Sequence, residues 1–265
     1  MVSSEGKATF LGTHIEDQRI AMQINSGPKK RLPQPQNAPN ANANNGKRTS
    51  ASDQIVQEVV QGLFEGRYVP GQKLTEMGMS RQFRVGRNSV REALKRLAAE
   101  GIVTESLHRG ANIRVLSRRE ARDIMDIIEL LAVLAARRSA ERLRAAAEVK
   151  SLRELRKDLR DFHETPDMLG FRRLSVQVYR QLAHVSQNQE LTRLINSVII
   201  HVIQQSHLTE VTLEVARQHA AQFDEIVGAV LAKDASKAER AMRRHVRRAA
   251  KLVETFPEGV LLSPR

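Results

Sequence analysis

The chain has 265 residues, which is long enough for two modest domains that each bury a core. Its 43 Lys and Arg residues outnumber its 30 Asp and Glu residues, and the formal net charge of +13 favours polyanionic partners without identifying one. The absence of cysteine excludes disulfides, zinc ribbons and thiol catalysis. Because no signal sequence and no run of about 18 apolar residues is present, we expect a soluble, cytoplasmic protein with no membrane partner.

Residues 1–48 are a mixture of Pro, Asn and Ala with almost no apolar periodicity. This composition predicts a disordered tail. Its basic residues are candidates for sequence-independent contacts with DNA phosphates, and an ordinary solvating extension is an equal alternative. They are Lys29, Lys30, Arg31, Lys47 and Arg48.

From residue 52 the apolar residues recur at helical spacing. They are Ile55, Val56, Val59, Val60, Leu63 and Phe64. The pattern predicts a first helix that stops at Gly66 and packs beneath the elements that follow. Pro70 and Gly71 then turn the chain towards Leu74.

Two helices joined by a tight turn are predicted between residues 74 and 101. The first takes its apolar residues from Leu74, Met77, Met79 and Phe83. Gly86 allows the turn, and Gly101 ends the second helix in the position after the C-cap. The second helix carries an apolar stripe of Val90, Ala93, Leu94, Leu97 and Ala98. This layout is typical of a helix-turn-helix.

The opposite face of the second helix is polar and basic. It presents Arg87, Asn88, Ser89, Arg91 and Lys95. Arginine can fork onto the two acceptors of guanine, asparagine can bridge adenine, and serine can serve a base or a phosphate. A solvated surface helix is the alternative for this face taken alone, and the helix-turn-helix layout favours DNA recognition.

The run IVTESLHRGANIRV follows directly after the second helix. It contains two strand-like segments around a turn at residues 108–110. The pattern predicts a β wing.

Three segments of this region resemble the winged helix-turn-helix of the GntR family of bacterial transcription regulators. They are PGQKLTE, VGRNSVREALKRLAAEGIV and HRGANIRV, and the resemblance covers roughly residues 50–116 without a gap. Local departures are Met79 and Ser80 where leucine and alanine are usual, Gly86 where a serine cap is usual, and Ser89 where proline is common. The resemblance implies a DNA-binding domain.

Within that domain the resemblance assigns base contacts to the start of the second helix. Arg87 and Arg91 are expected in the major groove of double-stranded DNA. Asn88 and Ser89 are expected to contact bases or nearby phosphates.

The resemblance also implies contacts with the DNA backbone and the minor groove. Arg81, Arg84 and Lys95 are expected to hold the backbone. Arg109 and Gly110 are expected to place the wing tip in the adjacent minor groove, where glycine permits close approach.

Ser117 starts a region that is almost wholly helical, and Ser117 and Glu120 are spaced as a capping box. We place helices near residues 118–144, 147–163, 167–186, 189–207, 211–232 and 235–255. Amphipathic helices in this number predict a bundle. The predicted fold class is therefore mainly α, an N-terminal winged helix-turn-helix with a small β wing followed by an all-α helical bundle domain. The expected domains are residues 49–117 and 118–256, between tails at 1–48 and 257–265.

The helical region resembles the effector-binding and dimerisation (FCD) domain of the FadR-like branch of the GntR family, as in VGAVLAKDASKAERAMRRH. Many members of this branch hold a divalent metal with one aspartate and three histidines, which orient a small carboxylate effector. The corresponding positions here are Ser175, Tyr179, Phe223 and His245, with His219 one turn before Phe223. Because one ligand of four is present, we expect no metal and no cofactor.

Two interpretations of this region stay open. In the first, Tyr179, Phe223, His245 and His219 line a more apolar effector pocket in which the polar groups orient a ligand. In the second, the core is filled and the protein has lost small-molecule sensing.

The leading hypothesis is a sequence-specific transcription regulator that binds a palindromic operator as a homodimer and responds to a small-molecule effector. A non-specific basic protein that coats DNA is the alternative, but it does not explain why Arg87, Asn88 and Arg91 share one face. An enzyme is disfavoured because the chain has no Gly-rich phosphate loop, no G-x-S-x-G elbow and no H-E-x-x-H helix.

Overall fold

The computed structural model describes residues 50–106, 110–164, 167–206 and 211–254. The predicted tails, Arg109 with the wing tip, and the helix breaks at Pro166 and Thr209 lie outside these ranges. The first half contains α1 (Ala51–Phe64), β1 (Lys73–Leu74), α2 (Glu76–Phe83), α3 (Arg87–Ala99), β2 (Val103–Ser106) and β3 (Gly110–Ile113). The second half contains α4 (Arg118–Arg142), α5 (Ala146–Glu164), α6 (Met168–Val185), α7 (Gln189–Ser206), α8 (Leu213–Leu231) and α9 (Ala235–Val253). The predicted mainly-α class is confirmed.

Helix α1 begins at a capping box that the sequence interpretation missed. Ser50 Oγ accepts a hydrogen bond from the Asp53 amide at 3.0 Å, and Asp53 Oδ2 accepts one from the Ser50 amide at 3.0 Å. Hydrogen bonds from Ser50 and then from Arg96 of α3 lower the pKa of Asp53 to about 2. The box therefore starts α1, and the bond from Arg96 to Asp53 connects α1 to α3.

The helix-turn-helix of α2 and α3 is confirmed, with two corrections. Leu74 lies in β1 and not in the first helix, which begins after the cap Thr75. The left-handed residue of the turn is Arg84, with φ of 55°, whereas Gly86 has an extended conformation with φ of −66°. Glycine is therefore not required at Gly86, where it forms an N-cap without a side-chain hydrogen bond.

The predicted apolar stripe of α3 faces the core. Val90, Ala93, Leu94 and Leu97 are buried, and Ala98 is half-buried. After the helix, the Gly101 amide bonds to Ala98 O at 2.9 Å and the Ile102 amide bonds to Leu97 O at 2.8 Å. This is the Schellman arrangement, and Gly101 provides its left-handed residue with φ of 68°.

The wing is part of a three-stranded antiparallel sheet in the order β1-β3-β2. Leu74 pairs with Ala111, and Ser106 pairs with Gly110. Gly110 has φ of 112°, and a Cβ atom at this position would lie 2.1 Å from Leu74 O. Only glycine fits so close to the neighbouring strand, so the wing is held tightly against the chain that leads into α2.

Helix α4 is the centre of the predicted bundle and packs along α9 and against α6, α7 and α8. Its predicted capping box is confirmed, since Ser117 Oγ accepts from the Glu120 amide at 3.1 Å. Although burial opposes ionisation, hydrogen bonds from Ser117 and Arg114 lower the pKa of Glu120 to about 2. The helix ends differ from the expected bounds by one or two residues at most positions. Within the described ranges, no helix has the length and apolar content to span a membrane.

Helix α7 belongs to the bundle and also supports the half of the chain that contains the helix-turn-helix. The buried Gln204 side chain donates from Nε2 to Ile102 O, directly after α3, at 2.9 Å. Its Oε1 atom lies 2.9 Å from His201 Nδ1. Helix α7 also packs against α1. The end of α3 is therefore held by a helix of the bundle.

Candidate nucleic-acid interface and bundle pocket

The polar face of α3 lies on the surface of the protein. Arg87, Asn88, Arg91 and Lys95 are exposed, and Ser89 is half-buried at the start of the helix. This arrangement follows from the buried stripe. Because an α-helix has 3.6 residues per turn, the residues on the face opposite the stripe point away from the core. The structure thus brings five of the sequence-predicted DNA contacts onto one accessible surface.

The remaining predicted contacts lie in the turn and the wing. Arg81 and Arg84 are exposed at the end of α2 and in the turn before α3. Gly110 is half-buried where β3 begins. The predicted partner of Gly110 at the wing tip, Arg109, lies outside the described residues.

Arg91 has a partner that the sequence did not indicate. Its Nε atom donates to Glu76 Oε1 at 2.8 Å, across the helix-turn-helix from the first residue of α2. Glu76 is the more buried partner, with 24% of its side chain exposed against 57% for Arg91. This hydrogen bond raises the pKa of Arg91. Because the contact uses Nε, the two terminal nitrogens of the guanidinium stay available for a planar fork onto a base.

A partly open pocket of about 80 Å³ lies among the helices of the bundle. Its wall includes Ser175, Tyr179, His219, Phe223 and His245, and its remaining side chains are mostly apolar. On this measure one water needs roughly 10–15 Å³, so the space suits a small molecule. The structure therefore brings together every position that the FCD resemblance identified.

Two histidines of the pocket are neutral at physiological pH. Burial and then the charge of Arg248 lower the pKa of His219 to about 4. Burial, His219 and Arg248 lower the pKa of His245 well below its ordinary value. His245 Nδ1 lies 2.9 Å from Gln222 Oε1, and since a carboxamide oxygen only accepts, Nδ1 donates the proton. The Nε2 atom of His245 is then an acceptor.

The aromatic rings of the pocket form a contiguous group. Phe223 lies 4.1 Å from the ring centre of His245 and 5.7 Å from that of Tyr179. His219 and His245 have ring centres 5.1 Å apart. Burial raises the pKa of Tyr179, so its phenol stays protonated. In the described part of the chain, no three His, Asp or Glu side chains are grouped so as to hold a metal ion.

Arg172 is a pocket residue that the sequence interpretation did not identify. It lies on α6, three residues before Ser175, so both side chains can face the same cavity. Its Nε atom is buried and has no hydrogen-bond partner among the described residues. Burial lowers the pKa of this arginine. The spacing of three residues to Ser175 on the same helix was a signal that could have identified it.

Two family profiles match the chain in the same order as its two structural halves. Residues 51–113 match the profile of bacterial regulatory proteins of the gntR family. Residues 123–248 match the profile of the FCD domain.

Relatives with described functions are transcription regulators. A probable D-xylose utilization operon transcriptional repressor from Paenarthrobacter nicotinovorans is 26% identical over 200 residues, which cover 75% of this chain and 87% of that protein. The Nta operon transcriptional regulator of Aminobacter aminovorans is 33% identical over 135 residues, which cover 49% of this chain and 60% of that protein.

Solved structures share the fold at low sequence identity. E. coli McbR/YncC superposes with a TM-score of 0.70 at 19% identity and covers 77% of this chain and 97% of its own. A putative GntR regulator from Rhodococcus sp. RHA1 gives a TM-score of 0.69 at 17% identity, with 78% and 99% coverage. The two matched domains and their order, together with these relatives, show that the chain belongs to the GntR family of transcription regulators, in the branch with an FCD domain.

Proposed function

We propose that this GntR-family regulator acts in the cytoplasm as a homodimer that binds a palindromic operator and responds to an effector in the bundle pocket. The observation that carries the proposal is the exposed face of α3, where Arg87, Asn88 and Arg91 form a cluster suited to base recognition. Repression is the proposed output, because the relative from Paenarthrobacter nicotinovorans is described as a repressor.

The homodimer is supported by one exposed face of α4, called here the α4 face. It comprises Asp123, Asp126, Ile127, Leu130, Leu134, Arg137 and Arg138. Its centre is apolar, and Ile127, Leu130 and Leu134 are 49%, 70% and 39% exposed. Such a stripe on one helix favours burial against another surface.

The charges of the α4 face are self-complementary. Its N-terminal end carries Asp123 and Asp126, and its C-terminal end carries Arg137 and Arg138, which also pair with Glu141 of their own helix. A twofold axis at Leu130 would run two copies of α4 antiparallel, so that each acidic end meets a basic end of the partner. An isologous contact of this kind pairs two winged helices, as a palindromic operator requires.

The effector is supported by the pocket itself. Its wall combines apolar surface with a few converging polar groups, which is the usual composition of a small-molecule site. The volume of about 80 Å³ argues against the alternative of a completely filled core.

The competing function, a basic protein that coats DNA, is separated by a competition experiment. Binding-site selection followed by sequencing identifies the preferred duplex. A gel-shift titration is then repeated with excess competitor DNA of random sequence. A specific reader keeps its complex with the selected duplex, whereas a coating protein loses it in proportion to the added competitor.

Replacing Arg91 by alanine is expected to weaken binding to the selected duplex by about 10- to 100-fold and to relax the preference for one base pair. The reason is the loss of a guanidinium fork that Glu76 holds in place. Fluorescence anisotropy with the selected duplex and with single-base variants measures both effects.

The matched control for Arg91 is Arg96→Ala on the same helix. Arg96 pairs with Asp53 at 2.6 Å and is not part of the predicted DNA-binding face. Removing its side chain is therefore expected to lower the stability of the fold without changing base preference. Equal weakening of Arg91→Ala on selected and random DNA would show that Arg91 contacts only the backbone.

A further inference from the structure

We propose that helix α9 of the bundle carries a second DNA contact, a cationic surface that binds the phosphate backbone without reading the sequence. The surface is called here the α9 stripe. It comprises Lys237, Arg240, Arg244, Arg247, Arg248 and Lys251. The inference rests on the proposed function for its partner, double-stranded DNA, and adds a contact site outside the winged helix.

The exposed face of α9 carries charge of one sign only. Within residues 237–251, all of which the structure describes, every exposed residue is a lysine or an arginine, and the others are buried or half-buried. Protein surfaces usually intersperse both signs, as α5 does with the exposed residues Glu154 and Lys157. The cations of α9 therefore create a one-sided positive field along the helix.

Carboxylates of the bundle neutralise only part of the α9 stripe. Arg244 pairs with Glu225 at 2.8 Å, and Arg247 pairs with Glu129 at 3.1 Å. The other four cations form no salt bridge within the described ranges, and they are Lys237, Arg240, Arg248 and Lys251. A phosphate that binds them replaces water and mobile counterions and does not have to break an ion pair.

The α9 stripe has the shape that a linear polyanion requires. Its members recur every three or four residues, which keeps them on one side of the helix. From Lys237 to Lys251 the stripe spans roughly 21 Å, at about 1.5 Å per residue. One strand of B-DNA presents about six phosphates over that axial length.

The direction of α9 brings one end of the stripe towards the winged helix. Glu254, the C-cap of α9, accepts a hydrogen bond from Arg122 Nε at 2.6 Å near the start of α4. Helix α4 is the element that follows the wing strand β3. The Lys251 end therefore lies close to the connection between the wing and the bundle. DNA that extends past the winged helix is expected to meet this end first.

A membrane surface suits this helix less well than DNA does. Helices that bind membranes place an apolar face among the lipids. The apolar face of α9 is occupied, because Ala241, Met242 and Val246 are buried in the bundle. Binding to DNA phosphates uses only the exposed cations.

The test uses the full-length protein and two duplexes of equal length that extend beyond the winged helices. One duplex has the selected operator at its centre, and the other has a random sequence. The variant Arg240→Gln with Lys251→Gln removes two cations of the α9 stripe. It is expected to weaken binding to both duplexes by about tenfold near 0.1 M salt. Fluorescence anisotropy at several salt concentrations should also show a slope of log K against log salt reduced by about 1–2.

The matched control is Arg153→Gln with Lys157→Gln on α5. It removes one arginine and one lysine from exposed positions, so it loses the same net charge as the variant of the stripe. Its affinity and salt slope should equal those of the wild-type chain on both duplexes. Circular dichroism checks the fold of both variants, and light scattering checks their mass.

Several outcomes would overturn the proposal. An unchanged affinity and salt slope in the variant of the stripe would show that α9 does not touch DNA. An equal loss in the α5 control would reflect net charge alone. A lower mass of the variant of the stripe would make this surface a subunit contact. Loss of binding to vesicles of anionic phospholipid, at unchanged DNA affinity, would assign the surface to a membrane.

The preference for the selected duplex over the random one is a separate readout. A chain whose affinity depends on the α9 stripe but shows no such preference would contradict the proposed operator recognition and leave the stripe intact. A chain that keeps its preference and does not respond to Arg240→Gln with Lys251→Gln would do the reverse.

Discussion

A Leu130→Glu variant is expected to be monomeric and to bind the selected operator about a hundredfold more weakly than the wild-type chain. Leu130 is the most exposed apolar residue of the α4 face, at 70%, and lies at its centre. A twofold axis there would set the two introduced carboxylates against each other inside an apolar contact. Without the second subunit, each winged helix binds one half-site and loses the effective concentration that the dimer provides.

Light scattering at micromolar concentration measures the mass, and gel shift measures the affinity. Leu213→Glu is the matched control, because Leu213 is 43% exposed and begins α8, so it is not part of the α4 face. It should stay dimeric. A dimeric Leu130→Glu variant would remove the α4 face from the interface.

Charge exchange tests the antiparallel direction of the same contact. Asp123→Arg alone should weaken the dimer, because the proposed twofold would place Asp123 opposite Arg137 of the partner subunit. Combining Asp123→Arg with Arg137→Asp should restore part of the lost dimerisation, whereas a parallel contact would give no such rescue. Arg137→Asp is also measured alone, because it removes the pairs of Arg137 with Glu141 and Glu239 of its own subunit.

Lowering the pH from about 7.5 to 5 is expected to reduce the free energy of unfolding by roughly 2–4 kcal/mol. His219 has a folded pKa of about 4, and that of His245 is also lowered, against an ordinary value of 6.5. The unfolded chain therefore binds more protons than the folded chain below pH 6.5. The stability that these two neutral histidines contribute is fully present above pH 6.5 and falls as the pH drops towards 4.

The acidic groups act in a different pH range. Asp53 and Glu120 have folded pKa values of about 2, so the stability that they contribute is lost only as the pH falls below their unfolded values of 3.8 and 4.5. Urea unfolding followed by circular dichroism at pH 7.5, 6 and 5 isolates the histidines. A His219→Gln and His245→Gln double variant should show a flatter profile. Equal stability of the wild-type chain at all three pH values would contradict the assignment.

Local sequence signals predicted the local structure well. The stripe of α3, the stop at Gly101 and the capping box of Ser117 and Glu120 depend on residues within one or two helical turns. The α3 stripe and both of these helix ends are confirmed. The capping box at Ser50 carried the same kind of signal and was missed because the apolar pattern starts later.

The errors come from contacts between distant residues. Leu74 was assigned to a helix because its strand has only two residues. Its partner Ala111 comes after α2 and α3 in the sequence. The contact between Arg91 and Glu76 spans 15 residues and follows no helical or strand period. Periodicity cannot predict such pairings, since they depend on how the elements pack.

The residues that meet in the pocket were identified by family resemblance and not by periodicity, and the resemblance left open whether they line a pocket or a filled core. Ser175, Tyr179, Phe223 and His245 lie on three helices, and only their correspondence to a known ligand set suggested that they meet. Arg172 has no counterpart among the expected ligands, so the correspondence did not identify it. The roles of these residues stay predictions.

Helix α7 has a thermodynamic consequence for the proposed regulation. Val202 and Ile203 form part of the pocket wall, and the next residue, Gln204, holds Ile102 O at the end of α3. If the pocket binds the proposed effector and α3 binds the operator, α7 is the helix that contacts both sites, and a ligand that shifts it would couple the two binding free energies. If a ligand changes operator affinity through α7, the operator must change the affinity for that ligand by the same factor. Calorimetry that measures the affinity for the small molecule with and without operator DNA would therefore also give the factor by which the small molecule changes operator affinity.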